Sequence, residues 1–126
     1  MTRSDRLVRI VAAATAAYGT ALTVAPSLLA RPARLRAPDG TVPPATAALI
    51  RSIGVRDAVL ALCLMAAPAG RAMTMLSTAR VISDASDAVW FGRTVPPTQR
   101  PKIAGAALGW AALEASVALS ARRQSR

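Results

Sequence analysis

The sequence predicts an all-α protein, a four-transmembrane-helix antiparallel bundle with buried ion pairs, and three observations carry that prediction. The first is composition: 53% of the 126 residues are apolar but only 3% are aromatic, so a water-soluble core would rest on Ala, Val and Leu. Small residues are instead what lipid-embedded helices place at their contacts, because they let backbones approach closely. The second is the placement of acid. Of six acidic residues, Asp57, Asp84, Asp87 and Glu114 lie inside apolar segments and only Asp5 and Asp39 lie outside, the reverse of a soluble protein's distribution. The third is the placement of base. The net charge is +10, yet the basic residues punctuate the apolar runs and form no single face. That spacing suits anionic lipid headgroups, at about 1 kcal/mol per basic residue near the surface. With so few aromatics to stack on bases, nucleic acid is not an expected partner.

The first segment runs from about Leu7 to Ala30. Its centre, Ile10 to Ala25, carries no charge, and roughly 20 residues rising 1.5 Å each cross a hydrocarbon layer of about 30 Å. A secretory signal peptide is the rival reading, since Arg3, Arg6 and Arg9 precede the apolar run. The length of the run, its interruption at Tyr18, Gly19 and Thr20, and Pro26 with Pro32 at its end favour a membrane helix. Residues 31 to 44 hold five Pro or Gly residues and three arginines and read as a loop, with Thr41 or Thr46 as the cap of the next helix.

The second segment, about Ala45 to Ala67, carries Arg51, Gly54, Arg56 and Asp57 in its first part and is wholly apolar from Ala58 to Ala67, where Pro68 and Gly70 stop it. The third, about Arg71 to Phe91, carries Arg80 near its middle with Asp84 and Asp87 beyond. An arginine at bilayer depth costs about 2.5 to 3.5 kcal/mol, so this helix is not expected to be stable in lipid alone. The fourth, about Ile103 to Ala121, opens behind Pro101. Its Gly105 and Gly109 make a GxxxG pair, and Glu114 lies about 140° round the helix from Gly109. The glycine face is therefore expected to pack on the first helix or on a second protein.

The turn at Pro68 to Gly70 makes the second and third helices antiparallel neighbours. Counted outward from residue 69, Asp57 lies 12 before and Arg80 11 after, Arg56 13 before and Asp84 15 after, and Arg51 and Asp87 18 either way. Opposite charges thus meet at nearly equal depth. Ser77, Arg80, Asp84 and Asp87 hold one helical face, whereas Arg56 and Asp57 point about 100° apart. Glu114, level with residue 79, is expected to approach Arg80 from the other side. The predicted interior set is Arg51, Arg56 and Arg80 against Asp57, Asp84, Asp87 and Glu114. Its one surplus negative charge predicts a protonated carboxyl or a bound cation. Two meanings stay open: the pairs fix register and partner choice with little net stability, or they form a ligand site.

Histidine is absent and Cys63 is the only cysteine, which removes the commonest metal ligand and general base and any disulfide or CxxC chemistry. No metal or cofactor is expected, and Cys63 reads as a small apolar residue on a buried helix. Paired carboxylates can do acid and base work, but no nucleophile with its base and no phosphate loop accompanies them. Ser83 and Ser86 read as packing residues, and an enzyme is not the expectation.

Four spans put both termini on one side of a cell membrane. Seven basic residues (Arg3, Arg6, Arg9, Arg71, Arg122, Arg123, Arg126) would share that side and six (Arg31, Arg34, Arg36, Arg93, Arg100, Lys102) the other, a small excess in favour of cytoplasmic termini. The string Arg51-Ser-Ile-Gly54-Val-Arg56-Asp57, with Asp84, Asp87 and the basic, proline-bearing loop before the last helix, resembles a group of small actinobacterial four-helix integral membrane proteins classed as a domain of unknown function. More distantly the chain is similar to DoxX-like four-helix proteins. The resemblance spans about Leu7 to Ala121 and implies an integral membrane protein without supplying a reaction. The thiol chemistry proposed for some DoxX-like proteins needs more than Cys63. The sequence expectation is a non-enzymatic accessory or structural membrane subunit, partnered by the lipid bilayer and by further copies or a larger membrane complex. The alternative is a carrier or sensor of a small polar or protonatable ligand, with Asp57 or Glu114 titrating and Arg80 or Arg56 holding an anionic group.

Overall fold

The chain is seen here as a computed structural model that describes residues 3–94 and, beyond them, positions 97, 98, 100, 101, 105, 108–110, 112, 115 and 116. The described residues form helices, turns and loops with no strand among them. In order they are α1 (Arg3–Val24), α2 (Ser27–Ala30), α3 (Pro44–Ala66) and α4 (Arg71–Thr94). The fourth expected helix, 103–121, lies mostly outside the described residues, and Glu114 with it; its described positions 105, 108–110, 112, 115 and 116 are helical.

The first segment differs from the expected single helix. It starts at Arg3 and stops at Val24, because Pro26 has no N–H to donate and its ring crowds the carbonyl one turn back. The amide of Ala25 still donates to Ala21 O at 2.8 Å. The chain then restarts as the short α2, whose end closes when the Leu35 amide donates to Ala30 O at 2.9 Å, five residues back. Arg34 sits beside this closure with φ +54°, the left-handed position that glycine usually fills. Leu35 thereby turns inward onto Leu22, Ala30 and Ile50.

The loop that follows is tied by Asp39, whose Oδ1 accepts from the Thr41 hydroxyl at 2.7 Å and the Thr41 amide at 2.9 Å. Those bonds hold the exposed Asp39 carboxyl below its ordinary pKa. Neither threonine caps α3. Pro43 is its N-cap, Pro44 opens it and no side chain caps it, as proline is preset for the first helical turn. At the other end Ala67 is extended, as a residue before proline prefers, and Gly70 takes φ +105° to reverse the chain into α4.

α3 is the central helix. Val8 and Ala12 of α1 meet Ala61, Leu64 and Ala67 at one end, together with Met73 of α4. Leu22 meets Ile50 at the other. Residues near the start of α1 thus pair with the end of α3, so the two run antiparallel, as do α3 and α4. The interior positions of α1 are Asp5, Val8, Ala12, Thr15, Gly19 and Leu22, and those of α3 are Ala47, Ile50, Gly54, Ala61 and Leu64. α1 follows the alternating three-and-four spacing of a coiled-coil seam, and so does α3 once the half-buried Asp57 fills the step between Gly54 and Ala61. At the middle of that seam the backbones touch. A Cβ built on Gly19 would lie 2.6 Å from Gly54 O, and one on Gly54 would lie 2.5 Å from Gly19 O. Only glycine permits this approach.

Among the described residues one helix is long and apolar enough to cross a membrane, Asp5–Val24, near the N-terminus, a signal that core helices and signal sequences also give. The expectation of four such helices is therefore not met by length and composition. α3 and α4 have 23 and 24 residues, but Arg51, Arg56 and Asp57 fall in every 18-residue stretch of α3 and Arg80, Asp84 and Asp87 in every one of α4.

A candidate ion-pair site between α3 and α4

Arg56 and Asp57 are neighbours on α3 and so leave the helix about 100° apart. Asp57 falls in the register of the seam that faces α1, with its Cβ 3.3 Å from where a Cβ on Gly19 would be. Arg56 turns toward α4. Its guanidinium reaches Asp87 through two parallel bonds, Nη1 to Oδ1 at 3.1 Å and Nη2 to Oδ2 at 2.5 Å. The same guanidinium returns to Asp57 Oδ1 from Nε at 3.0 Å and from Nη2 at 2.8 Å. One planar fork therefore clamps a carboxylate from each side, a geometry that arginine has and lysine lacks.

Arg80 lies one layer nearer the Pro68 turn and is the most deeply buried charge among the described residues, 2% exposed. Its Nη1 donates to the main-chain carbonyl of Asp57 at 3.2 Å, across the helix interface. Its Nη2 lies 3.7 Å from Asp84 Oδ2, one turn further along α4. Met73, Ser77, Arg80, Asp84 and Ala88 are the buried positions among the described residues of α4, at spacings of four, three, four and four that keep one helical face.

The structure brings together five of the seven residues that the sequence assigned to the interior: Arg56, Asp57, Arg80, Asp84 and Asp87. The partners differ from those counted by depth. Arg56 pairs across the interface with Asp87, not Asp84, and Arg80 meets the backbone of Asp57 while its ion pair is with Asp84. Arg51 leaves the set. It is exposed, and its Nε donates to Thr23 O at 3.2 Å, near the end of α1. Glu114 lies outside the described residues. Two positive and three negative groups remain, so the surplus of one negative charge persists among them. No group of three or more candidate metal ligands occurs among the described residues.

Two further expectations are corrected and a third is narrowed. Cys63 is exposed and not buried, because it falls beside Leu62 on the outer face of α3. Gly54 does pack a helix, against Gly19 of α1, but a Cβ on Gly105 or Gly109 would meet nothing within 4 Å, so the first helix does not cover that face. Arg9, read from the sequence as a headgroup anchor, folds back onto the end of α3. There it donates to Met65 O and, at 2.9 Å, to Ala67 O, satisfying carbonyls that a helix end leaves without partners. Sequence reasoning passed over Gly19, although a glycine at a seam position of an alanine-rich helix was the available signal.

No family model, curated protein or solved structure matches the chain. What fold and site define is a class: a helical bundle with a cluster of ion pairs between two of its helices.

Proposed function

We propose that the chain is a small multi-pass membrane protein whose α1, α3 and α4 cross the bilayer and whose fourth segment, 103–121, completes four spans. It serves as a non-enzymatic accessory or structural subunit. One observation carries this reading, the inversion of polarity between inside and outside. From Leu7 to Val24 on α1, Ser52 to Ala66 on α3 and Ala72 to Trp90 on α4, no exposed position is charged. Ile10, Tyr18, Val59, Leu62, Met75, Ile82 and Trp90 point outward, each at least half exposed, while Arg80, Asp84 and Thr15 are buried. A soluble monomer rarely leaves so continuous an apolar surface uncovered, whereas intramembrane charges face the bundle interior and pair with one another. The outward apolar stretches of α1 and α4 are about 27 Å long at 1.5 Å per residue, close to a hydrocarbon thickness. Of the charges that make α3 and α4 look unsuited to lipid, all but Arg51 turn toward the interface of the two helices and pair there.

The ion pairs then fix which helices meet and at what depth. Both interior arginines are engaged by carboxylates of the same bundle, which favours this structural role over a carrier that holds an anion on Arg56 or Arg80. Within this proposal the resemblance to small four-helix membrane proteins applies, and Gly105 and Gly109 offer a face to a second copy or another subunit. Expression with a C-terminal tag and extraction of the membranes at alkaline pH tests the reading. The chain is expected to stay in the pellet and to dissolve only in detergent; recovery in the aqueous supernatant as a folded monomer overturns it.

A further inference from the structure

Arg51 is the charged residue that the interior cluster leaves over, and its surroundings give it a use. On α3 it begins an outward stripe, Arg51, Val55, Val59 and Leu62, with spacings of four, four and three that keep one helical face. All four are exposed. The stripe covers about 16 Å along the helix, roughly one leaflet of hydrocarbon. At its head the exposed Arg51 donates from Nε to Thr23 O at 3.2 Å, a bond that engages one of its three side-chain nitrogens. The loop between α2 and α3 adds charge at the same end. Leu35 packs against the cluster containing Ile50, the residue before Arg51, and flanking Leu35 are Arg34 and Arg36, both exposed. Asp39 is the only acidic residue of that loop, and Thr41 occupies one of its oxygens.

We infer that this face binds an anionic phospholipid, its phosphate on the Arg51 fork and one acyl chain along Val55, Val59 and Leu62. The assignment rests on the membrane reading given above. It commits to lipid because the cationic head and the apolar track are contiguous on one helix, which matches an amphiphile with a negative head. Two parallel donors from arginine suit a phosphate oxygen pair, and a guanidinium already held by the α1 carbonyl has less freedom to lose on binding.

The test uses the full chain in nanodiscs of phosphatidylcholine with a minority of phosphatidylglycerol, followed by native mass spectrometry of the lipids that stay bound. The wild type is expected to retain phosphatidylglycerol above its share of the bilayer. Arg51→Gln should weaken that retention about fivefold, the effect of one well-placed basic contact. Arg6→Gln, which removes an exposed charge at the opposite end, should weaken it clearly less than Arg51→Gln does. Arg51→Lys keeps the charge and loses the fork, so intermediate retention with unchanged thermal unfolding separates lipid binding from support of the α1 end. Equal losses in the Arg6 and Arg51 variants, or retention of both lipids in proportion to the bilayer, overturn this assignment and leave the membrane reading standing. A folded chain that enters no nanodisc and stays in water without detergent overturns both.

Discussion

Substituting Gly54 by alanine sets two effects of opposite sign against each other, and the structure says which wins. In an exposed helix interior, glycine to alanine stabilises by about 1 kcal/mol because alanine loses less backbone freedom. At Gly54 the new methyl carbon would stand 2.5 Å from Gly19 O, 2.7 Å from Thr23 Oγ1 and 2.9 Å from Thr23 N. An ordinary contact begins near 3.4 Å, so α1 must retreat by about 0.9 Å. Two of those three atoms are backbone and cannot swing aside. Overpacking of this kind costs about 1 to 3 kcal/mol, and a gap of 0.5 to 1 Å forfeits about a quarter to a half of each neighbouring dispersion contact along the seam. The net expectation is a loss of about 1 to 2 kcal/mol. Gly19→Ala should cost a similar amount. The double variant should cost much less than the sum, since a single retreat relieves both clashes. Gly109→Ala, with nothing within 4 Å, should be neutral or stabilising in the isolated chain. Reversible unfolding by SDS in mixed micelles, followed by far-UV circular dichroism, measures all four. A Gly54→Ala chain as stable as wild type, or single costs that simply add, would refute the claim that the two backbones touch.

The remaining predictions concern charge and backbone. Arg80→Met alone should destabilise by about 3 to 5 kcal/mol, because it strands a buried carboxylate, and adding Asp84→Leu should recover much of that loss; the same unfolding assay shows whether Asp84 rescues where Asp57→Leu does not. A double-mutant cycle on Arg56→Met and Asp87→Leu should show coupling of about 1 to 3 kcal/mol, and independent effects would count against the two-bond clamp. Arg9→Met should cost about 1 to 2 kcal/mol by leaving the carbonyls of Met65 and Ala67 without their donor, a loss visible as earlier exchange of the last amides of α3. Arg34→Gly should raise the unfolding midpoint by relieving the left-handed backbone, a gain of about 0.5 to 1 kcal/mol.

Much of the bundle's helical architecture was legible in the sequence, and the reasons differ from element to element. The α3 to α4 hairpin could be read because Pro68 and Gly70 act locally: one forces an extended residue before it and the other reverses the chain. The depth of Arg80 against Asp57 followed from counting along those helices. Which carboxylate takes which arginine did not follow, because equal depth says nothing of angle round the helix and an arginine side chain spans about a helical turn. Arg56 accordingly passes over Asp84 to reach Asp87. Arg51 shows the same limit more sharply. It was grouped with the interior because it shares a segment with Arg56 and Asp57, yet five residues at 100° each turn it about 140° away from Arg56, onto the outer face.

The least legible feature was the contact on which the bundle depends most, between α1 and α3. Along α1 its middle is Ala12, Thr15 and Gly19, a run that in an alanine-rich helix scarcely differs in composition from the face opposite. What distinguishes it is spacing, one glycine in each helix set at an interior position. The same closeness explains why charge can be stored here at all. Where α1 and α3 touch at Gly19 and Gly54, the next seam position is Asp57, and the adjacent Arg56 carries that carboxylate's interaction across to Asp87 on α4. The glycine crossing, the Asp57 position and the Arg56 clamp therefore form one mechanical chain through three helices. Separating α1 from α3 by the roughly 0.9 Å that the added methyl demands should loosen the packing around Asp57 and so weaken the coupling between Arg56 and Asp87. A cycle repeated in the Gly54→Ala background should give a smaller coupling energy than in wild type, and an unchanged value would mean that the crossing and the clamp are energetically independent.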